Sequence, residues 1–234
     1  MTRVRRTHAS AHCGLVLAIV AAAGSARAGE VPVAKSPIAE TLAVTSPWFF
    51  RLGAAGVLFD SSATLKLAGA PVPGASAKAA DNVTAMFEVG YYLDRNVSLR
   101  FTGGFPPTTS LTGKGSIAAL GTLGKATYGP AALSASYHFT DFGAFEPYVG
   151  AGALYAIIFS TKDGAVTGLE VDGAPGALVQ AGFDYSIDKN WSVFFDAKKL
   201  FLGVDARGTA LAAPVTAHIR LDPVIVSTGI AYRW

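Results

Sequence analysis

Residues 83–93 of the chain read VTAMFEVGYYL, and the side chains in this stretch alternate between two kinds. One face carries the apolar residues Val83, Ala85, Phe87, Val89, Tyr91 and Leu93. The other face carries Thr84, Met86, Glu88 and Gly90. A period of two over roughly ten residues, apolar on one side and mixed on the other, is typical of a strand in a membrane β-barrel. Such a strand turns one face to lipid and the other to the lumen.

Seven further runs are rich in aromatic and β-branched residues: 48–59, 97–105, 130–139, 145–159, 176–187, 191–204 and 219–234. The connections between the eight runs are alternately long and short. The short ones, 94–96, 140–144 and 188–190, carry turn residues. The long ones, rich in Gly, Ala, Thr and Pro, are 60–82, 106–129, 160–175 and 205–218.

This alternation predicts an all-β fold: an eight-stranded antiparallel transmembrane β-barrel with short periplasmic turns and long extracellular loops. An even number of strands places both ends of the barrel in the periplasm. A soluble β-sandwich would also consist of many short strands. It would have no reason to sort its connections by length, so the membrane barrel is the favoured fold.

The first 28 residues have the layout of a secretory signal peptide. Three arginines precede a ten-residue apolar core at 14–23, and the small-residue site Ala26-Arg27-Ala28 follows. We therefore expect cleavage before Gly29, a periplasmic N-terminal segment at 29–47 and the barrel at 48–234. The single cysteine, Cys13, lies in the signal, so the mature protein would have no disulfide and no cysteine metal site.

The net charge of +3 comes from the signal peptide. Four of the 19 basic residues lie in it and no acidic residue does, which leaves 15 basic against 16 acidic residues. A mature chain with a net charge of −1 gives no reason to expect a nucleic-acid partner. Charged residues make up only 15% of the chain, against about 25% in a typical soluble domain. No apolar run after residue 28 is long enough to form a spanning helix.

The predicted lumen face carries charges towards the periplasmic side. Counting alternate residues along each strand places these side chains inside: Arg51, Glu88, Arg100, His138, Asp184, Asp196 and Arg233. Opposite charges in a narrow barrel should pair, because an isolated charge there would be poorly solvated. We expect an ionic plug that fills the lumen, in preference to a selective ion pathway.

The same face is apolar towards the outside, where a water-filled porin would place polar groups. The inward residues predicted there are Val57, Phe59, Met86, Leu154, Ile158, Leu178, Leu200 and Leu202. They predict an apolar funnel above the charged plug, unless they simply fill the lumen. Bulges could shift this count, especially around Lys198 and Lys199. Gly150 and Gly152 lack side chains and are expected to weaken the wall nearby.

Aromatic residues near the predicted strand ends fit the girdles of a membrane barrel. They are Trp48, Tyr91, Tyr92, Tyr148 and Trp191. The closing residue, Trp234, ends a strand with apolar residues at alternate positions, and we expect it to act as an assembly signal.

The sequence contains few residues that could form a catalytic or metal site. The two histidines of the mature chain, His138 and His218, should lie at opposite ends of the barrel, which argues against a shared metal ion. His218, with Thr216 and Asp222 nearby, is the one candidate for a lipid A-modifying enzyme. No serine stands at a spacing that would make it a nucleophile beside this histidine. We therefore predict no enzyme activity, no cofactor and no metal.

Several short motifs make the chain similar to the OmpW family of small outer-membrane barrels. They follow in the family's order over residues 48–234: Trp48-x-x-Arg51-Leu52-Gly53, Tyr91-Tyr92-Leu93-Asp94, Ser136-Tyr137-His138-Phe139, Pro147-Tyr148-Val149-Gly150-Ala151-Gly152, Gln180-Ala181-Gly182-Phe183-Asp184-Tyr185, Asn190-Trp191, Asp196-Ala197-Lys198-Lys199, Leu221-Asp222-Pro223 and Tyr232-Arg233-Trp234. The chain departs from the family in closing on Trp234 where Phe is usual, and in its first two external loops.

The resemblance implies that small hydrophobic compounds cross the outer membrane of a Gram-negative bacterium through a narrow, largely apolar lumen. With the apolar upper face, it favours a monomeric passive conduit with lateral exit into the membrane. The alternative is a structural or surface-recognition barrel without transport, which a fully packed lumen would favour. The expected partners are outer-membrane lipid, small hydrophobic solutes and, during biogenesis, the barrel assembly machinery.

Overall fold

The computed structural model describes residues 46–234, and most of them are in β-strands. In chain order the strands are β1 (Trp48–Leu58), β2 (Ser62–Leu67), β3 (Ala70–Pro71), β4 (Ala75–Ala79), β5 (Asn82–Tyr92), β6 (Val97–Gly104), β7 (Thr108–Gly115), β8 (Thr122–His138), β9 (Phe145–Asp163), β10 (Thr167–Val171), β11 (Ala174–Ser186), β12 (Trp191–Ala210), β13 (Ala213–Arg220) and β14 (Val224–Arg233). Two short 3-10 helices span Ala118–Leu120 and Thr140–Phe142.

Within residues 46–234, no helix is long and apolar enough to cross a membrane. The predicted signal peptide, 1–28, lies outside the described residues. The same holds for residues 29–45 of the predicted N-terminal segment.

Eight strands close into an antiparallel barrel in the order β1-β5-β6-β8-β9-β11-β12-β14, and β14 returns to β1. Each of the eight predicted runs supplies one of these strands. The seam between β11 and β12 is paired from Gly176↔Leu202 to Ser186↔Ser192. Closure leaves no long sheet edge at the level of the lipid, where unpaired backbone groups would be costly. The predicted fold class is confirmed.

The two faces of each barrel strand are sorted as the alternation predicts. In β5, Met86, Glu88 and Gly90 are buried in the lumen, whereas Val89 and Tyr91 are exposed on the outside. Every barrel strand places a large apolar side chain outward: Leu52, Val89, Phe101, Leu133, Val149, Val179, Phe195 and Ile230. These eight residues form the apolar belt that the barrel presents to lipid.

The three short connections hold tight turns, and two of them use the same device. The Asp94 carboxylate accepts hydrogen bonds from the backbone N–H groups of Asn96 and Val97, at 2.7 and 2.8 Å. The Asp188 carboxylate does the same for Asn190 and Trp191, both at 2.8 Å. These donors hold the pKa of Asp188 below its usual range, because they stabilise the ionised carboxylate. An aspartate at the start of each turn therefore sets the register of the next strand.

The four long connections are the main difference from the sequence-based expectation, because they carry strands. β2, β3, β4, β7, β10 and β13 lie in them, and β8, β9 and β12 run on beyond the barrel. Leu65, Leu111, Leu123 and Leu169 turn inward and are buried between these strands. The Gly, Ala and Thr content of the long connections indicated loops. Burial of these leucines offsets the conformational entropy that the backbone loses when it forms strands.

The last predicted run, 219–234, is split between two strands. β13 ends at Arg220 and β14 begins at Val224. Between them Asp222 has a positive φ of 32°, and Pro223 has no N–H to give to a neighbouring strand. Ile219 therefore does not belong to the closing strand. It belongs to the strands that continue beyond the barrel, which we call the extracellular extension: β2, β3, β4, β7, β10, β13 and the outer ends of β8, β9 and β12.

Aromatic pairs surround the barrel at the end with the short turns. The rings of Trp48 and Tyr91 lie 5.0 Å apart, and those of Trp191 and Tyr232 lie 4.8 Å apart. The prediction was wrong for Tyr92 and Tyr148. Tyr148 is 1% exposed in the lumen, and the Tyr92 hydroxyl donates a hydrogen bond to Glu146 at 3.2 Å. An aromatic residue near a strand end can lie in a girdle or in the lumen, depending on which face of the strand carries it.

Replacement of Trp234 by aspartate is expected to reduce the heat-modifiable, folded fraction in outer membranes. Trp234 packs edge-on against Tyr232, with ring centroids 5.5 Å apart, beside the strand that joins β1 to β12. A carboxylate there removes the terminal aromatic and places a charge at the membrane interface. Trp234→Phe is the control and should fold as the wild type does. Equal folding of the aspartate variant would refute the role as an assembly signal.

Candidate functional site

The periplasmic half of the lumen is filled by charged and polar side chains, which we call the ionic layer: Arg51, Glu88, Arg100, His138, Tyr148, Asp184, Asp196 and Lys198. All eight side chains are buried. They come from β1, β5, β6, β8, β9, β11 and β12, so the layer ties together nearly the whole circumference of the barrel.

Arg51 lies at the centre of the ionic layer. Its Nη1 lies 3.4 Å from a Glu88 carboxylate oxygen and donates to the Tyr148 hydroxyl at 2.9 Å, while Nη2 pairs with Asp184. The Tyr148 hydroxyl in turn donates to Asp196 at 2.7 Å. The Arg51 guanidinium also lies over the Phe194 ring, 5.1 Å from its centroid. A buried cation with this many partners is well compensated.

Lys198 and Arg100 complete the charge balance. Lys198 Nζ lies 2.9 Å from Glu88 and also pairs with Asp196. The Arg100 guanidinium stacks on Tyr148, 3.8 Å from the ring centroid, and its Nη2 lies 2.8 Å from His138 Nε2. Three cations, Arg51, Arg100 and Lys198, thus face three carboxylates, so the layer carries little net charge.

The structure brings six of the seven predicted plug residues together and sets the seventh apart. Arg233 is half-buried at the periplasmic mouth, where it lies over the Tyr92 ring at 3.9 Å from the centroid. His138 bridges the layer and the mouth, because its Nδ1 lies 2.7 Å from Glu146.

Lys198 and Tyr148 belong to the layer as well, and neither was predicted as a member of it. Lys198 follows Asp196 at a spacing of two, and β12 keeps its pairing with β11 through this point, so no bulge shifts the count. Strict alternation would have found it. Lys198 and Lys199 are consecutive, so only one of them can face inward, and the pair alone does not show which.

Above the ionic layer the lumen contains an apolar cavity of about 100 Å³, which opens to solvent. Six of the eight predicted funnel residues line it: Val57, Phe59, Met86, Ile158, Leu200 and Leu202. The other two, Leu154 and Leu178, are buried in the apolar core that surrounds the cavity and do not line it. The lining of the upper lumen is apolar at these six positions, and it also includes residues from the long connections between the predicted strands.

Those further wall residues include Thr109, Leu111, Tyr128 and Val171. A second apolar cavity of about 30 Å³ lies in the extracellular extension and shares Leu111 and Ile219 with the first. The apolar interior therefore continues beyond the barrel proper.

The barrel wall is interrupted beside the cavity, between β6 and β8. Their pairing ends at Thr102↔Ala132. The next backbone hydrogen bond on this side is donated by the Tyr128 N–H to the Pro107 carbonyl, at 3.1 Å. Pro106, Pro107 and Pro130 have no N–H to bridge the interval. On the other side, Phe105 still donates to Ala85 of β5 at 3.0 Å, so the break lies on the β8 side alone.

The expected weak point at Gly150 and Gly152 is absent. Gly152 pairs with Ser134 on β8 and with Leu178 on β11, in an unbroken register on both sides. A Cβ atom at Gly152 would collide with the Leu133 carbonyl oxygen. The prediction was wrong, because these glycines let the neighbouring strands approach closely and do not open the wall.

His218 is arranged differently from the expectation. Its Nδ1 lies 2.8 Å from an Asp205 carboxylate oxygen, on the exposed face of the extracellular extension. Asp222 instead accepts from the Leu202 N–H at 3.0 Å and pairs with Arg220. Among residues 46–234, no group of three or more His, Cys, Asp or Glu side chains is placed to hold a metal ion.

Comparison with known proteins agrees with this geometry. Residues 47–234 match the sequence model of the OmpW family. The dibenzothiophene metabolism operon protein PahQ of Pseudomonas aeruginosa is 37% identical over 194 residues, 83% of this chain and 92% of that protein. Outer membrane protein AlkL of Ectopseudomonas oleovorans is 30% identical over 168 residues, covering 72% of this chain and 73% of that protein.

Among solved structures, the outer membrane protein OprG from Pseudomonas aeruginosa superposes with a TM-score of 0.75 at 20% identity. The match covers 82% of this chain and 97% of OprG. At this identity the likeness shows the fold alone. The family match and the AlkL relative place the barrel in the outer membrane, with its short turns in the periplasm. The chain belongs to the OmpW family.

Proposed function

We propose that the protein is a passive conduit that takes small hydrophobic molecules from outside and releases them sideways into the membrane. The observation that carries the proposal is the apolar cavity lying directly above a closed ionic layer. A molecule of low polarity can leave water for such a cavity, and the gain grows with the apolar area that it buries.

The ionic layer makes onward passage into the periplasm unfavourable for the same molecule. Met86 lines the cavity, and the next inward residue on β5 is Glu88, which is fully buried among Lys198, Arg51 and Arg100. An apolar solute can pass this level only by separating the charges from their partners. Such separation in a lumen without bulk water costs several kcal/mol, of the order of 3–5 for a broken buried pair.

The interruption between β6 and β8 supplies a route with a lower cost. Gly103, Gly104, Pro107 and Pro130 line the cavity and also belong to the interrupted wall. A solute leaving there breaks no ladder hydrogen bond, since the pairing is already absent over this interval. Outside it meets the apolar belt and lipid tails, which it prefers to water.

The name of one relative supports the same class of solute. PahQ is named for a dibenzothiophene metabolism operon, and dibenzothiophene is a small apolar aromatic compound. The expected partners of this chain are then outer-membrane lipid and small hydrophobic solutes, with the barrel assembly machinery during biogenesis. We expect it to act as a monomer, because one barrel contains the whole route.

Cells that make the protein should take up a small hydrocarbon faster than matched cells carrying an empty vector. The purified protein in planar bilayers should give little ion current, since the ionic layer closes the lumen. Uptake is measured by solvent extraction of washed cells, and current by voltage clamp. Large steady currents would show an open lumen. Uptake equal to the empty-vector cells would favour the structural or surface-recognition alternative.

A further inference from the structure

The side chains around the apolar cavity leave almost no polar group free to meet a ligand. Five of the lining residues have a polar side chain: Thr84, Thr102, Thr109, Tyr128 and Lys198. All others are apolar side chains or glycines, and the exposed surface of the cavity is almost wholly carbon.

The three threonine hydroxyls have already donated their hydrogens within the protein. Thr84 donates to the Phe105 carbonyl at 2.6 Å, and Thr109 donates to the Ala80 carbonyl at 2.7 Å. Thr102 donates to a Glu88 carboxylate oxygen at 2.9 Å. A threonine hydroxyl has a single hydrogen, so none of the three can donate a second bond to a ligand.

Tyr128 and Lys198 are committed in the same way. The Tyr128 hydroxyl both accepts from and donates to the Asn82 amide, at 3.1 and 3.3 Å. Lys198 directs Nζ down into the ionic layer, to Glu88 and Asp196, so its methylene stem is the part that lines the cavity. The side chains of the cavity wall therefore solvate an apolar ligand and offer a ligand carbonyl no free hydrogen-bond donor.

We infer that the conduit selects hydrocarbons and similar molecules without strong hydrogen-bond acceptors, and that it excludes their oxidised counterparts. This inference rests on the proposed function and narrows its substrate class. A carbonyl, sulfone or carboxylate oxygen would leave its hydration shell on entry and find no replacement. The loss for one neutral acceptor corresponds to a preference on the order of tenfold or more.

The test compares fluorene with 9-fluorenone, which share a planar three-ring frame and differ in one carbonyl oxygen. For each compound, the uptake rate of expressing cells is divided by that of empty-vector cells. The wild type is expected to accelerate fluorene on the order of tenfold more than 9-fluorenone. Equal acceleration of both would overturn the inference and leave the proposed conduit standing. Acceleration of neither would refute the conduit itself.

A paired variant shows whether the missing donor causes the selection. Met86→Gln keeps the length of the side chain and introduces amide N–H donors into the cavity. It should raise the acceleration of 9-fluorenone relative to fluorene several-fold, whereas Met86→Leu should retain the wild-type preference. Both variants are first checked for heat-modifiable migration as folded barrels, and Leu200→Gln with Leu200→Met replaces the pair if Met86→Gln does not fold. An unchanged preference in a folded glutamine variant would contradict the inference.

Discussion

Arg51→Ala is expected to lower the free energy of unfolding by about 3–5 kcal/mol, the cost of breaking a fully enclosed ion pair. Arg51 is 1% exposed and contacts Glu88, Asp184 and Tyr148. Glu88 would keep Lys198 and Thr102 as partners. Asp184 would lose its close cation, and its other carboxylate oxygen already lacks a hydrogen-bond partner within residues 46–234. An unpaired buried carboxylate is the main source of the loss.

The charge itself can be separated from the packing by a second variant. Arg51→Met with Asp184→Asn removes both partners and keeps most of the volume. It should recover a large part of the stability, because no unpaired charge remains. Stability is measured by guanidinium unfolding in lipid vesicles, followed by tryptophan fluorescence.

Arg207→Ala is the matched control outside the barrel. Arg207 also has two acidic partners, Glu170 and Asp172, but its side chain is 58% exposed. Solvent screens such pairs, so this substitution should leave the stability close to that of the wild type. If Arg51→Ala were as neutral as Arg207→Ala, the lumen at this level would have to contain water. The ionic layer would then not close the lumen to solutes.

The difference between these two arginines could be predicted from the sequence, because it depends on a local signal. Arg51 stands on the lumen face of a run with period-two alternation, and such a face needs only the neighbouring residues to be recognised. The same reasoning placed Glu88, Arg100 and Asp196 correctly. It supplied no distances, so it could indicate a charged layer and could not say that Tyr148 links Arg51 to Asp196.

Non-local contacts account for what the sequence did not predict. The gap beside the cavity depends on the end of the β6–β8 pairing at Thr102, and on prolines in two separate segments that have no N–H to continue it. Gly152 carries no local sign of whether its missing side chain opens the wall or lets β8 approach. The extracellular strands were missed for a similar reason, since their alanines and glycines form strands only when Leu111 and Leu169 find a shared core.

Filling the cavity should abolish uptake while leaving the barrel folded. Ala156 is 5% exposed, faces the lumen from β9 and lines the cavity. Tryptophan at this position would occupy space that is empty in the wild type, so overpacking strain should be small for its size. We expect Ala156→Trp to reduce hydrocarbon uptake to the rate of cells that lack the protein.

Ala153→Trp is the control on the same strand, because Ala153 lies on the exposed, lipid-facing side. An added aromatic ring is compatible with the apolar belt, so this variant should transport as the wild type does. Ile158→Trp, at another lining position of β9, repeats the test if Ala156→Trp does not reach the membrane. A folded Ala156→Trp barrel with wild-type uptake would mean that solute does not pass through the cavity. The conduit proposal would then fail, since the ionic layer leaves no other continuous apolar path through the lumen.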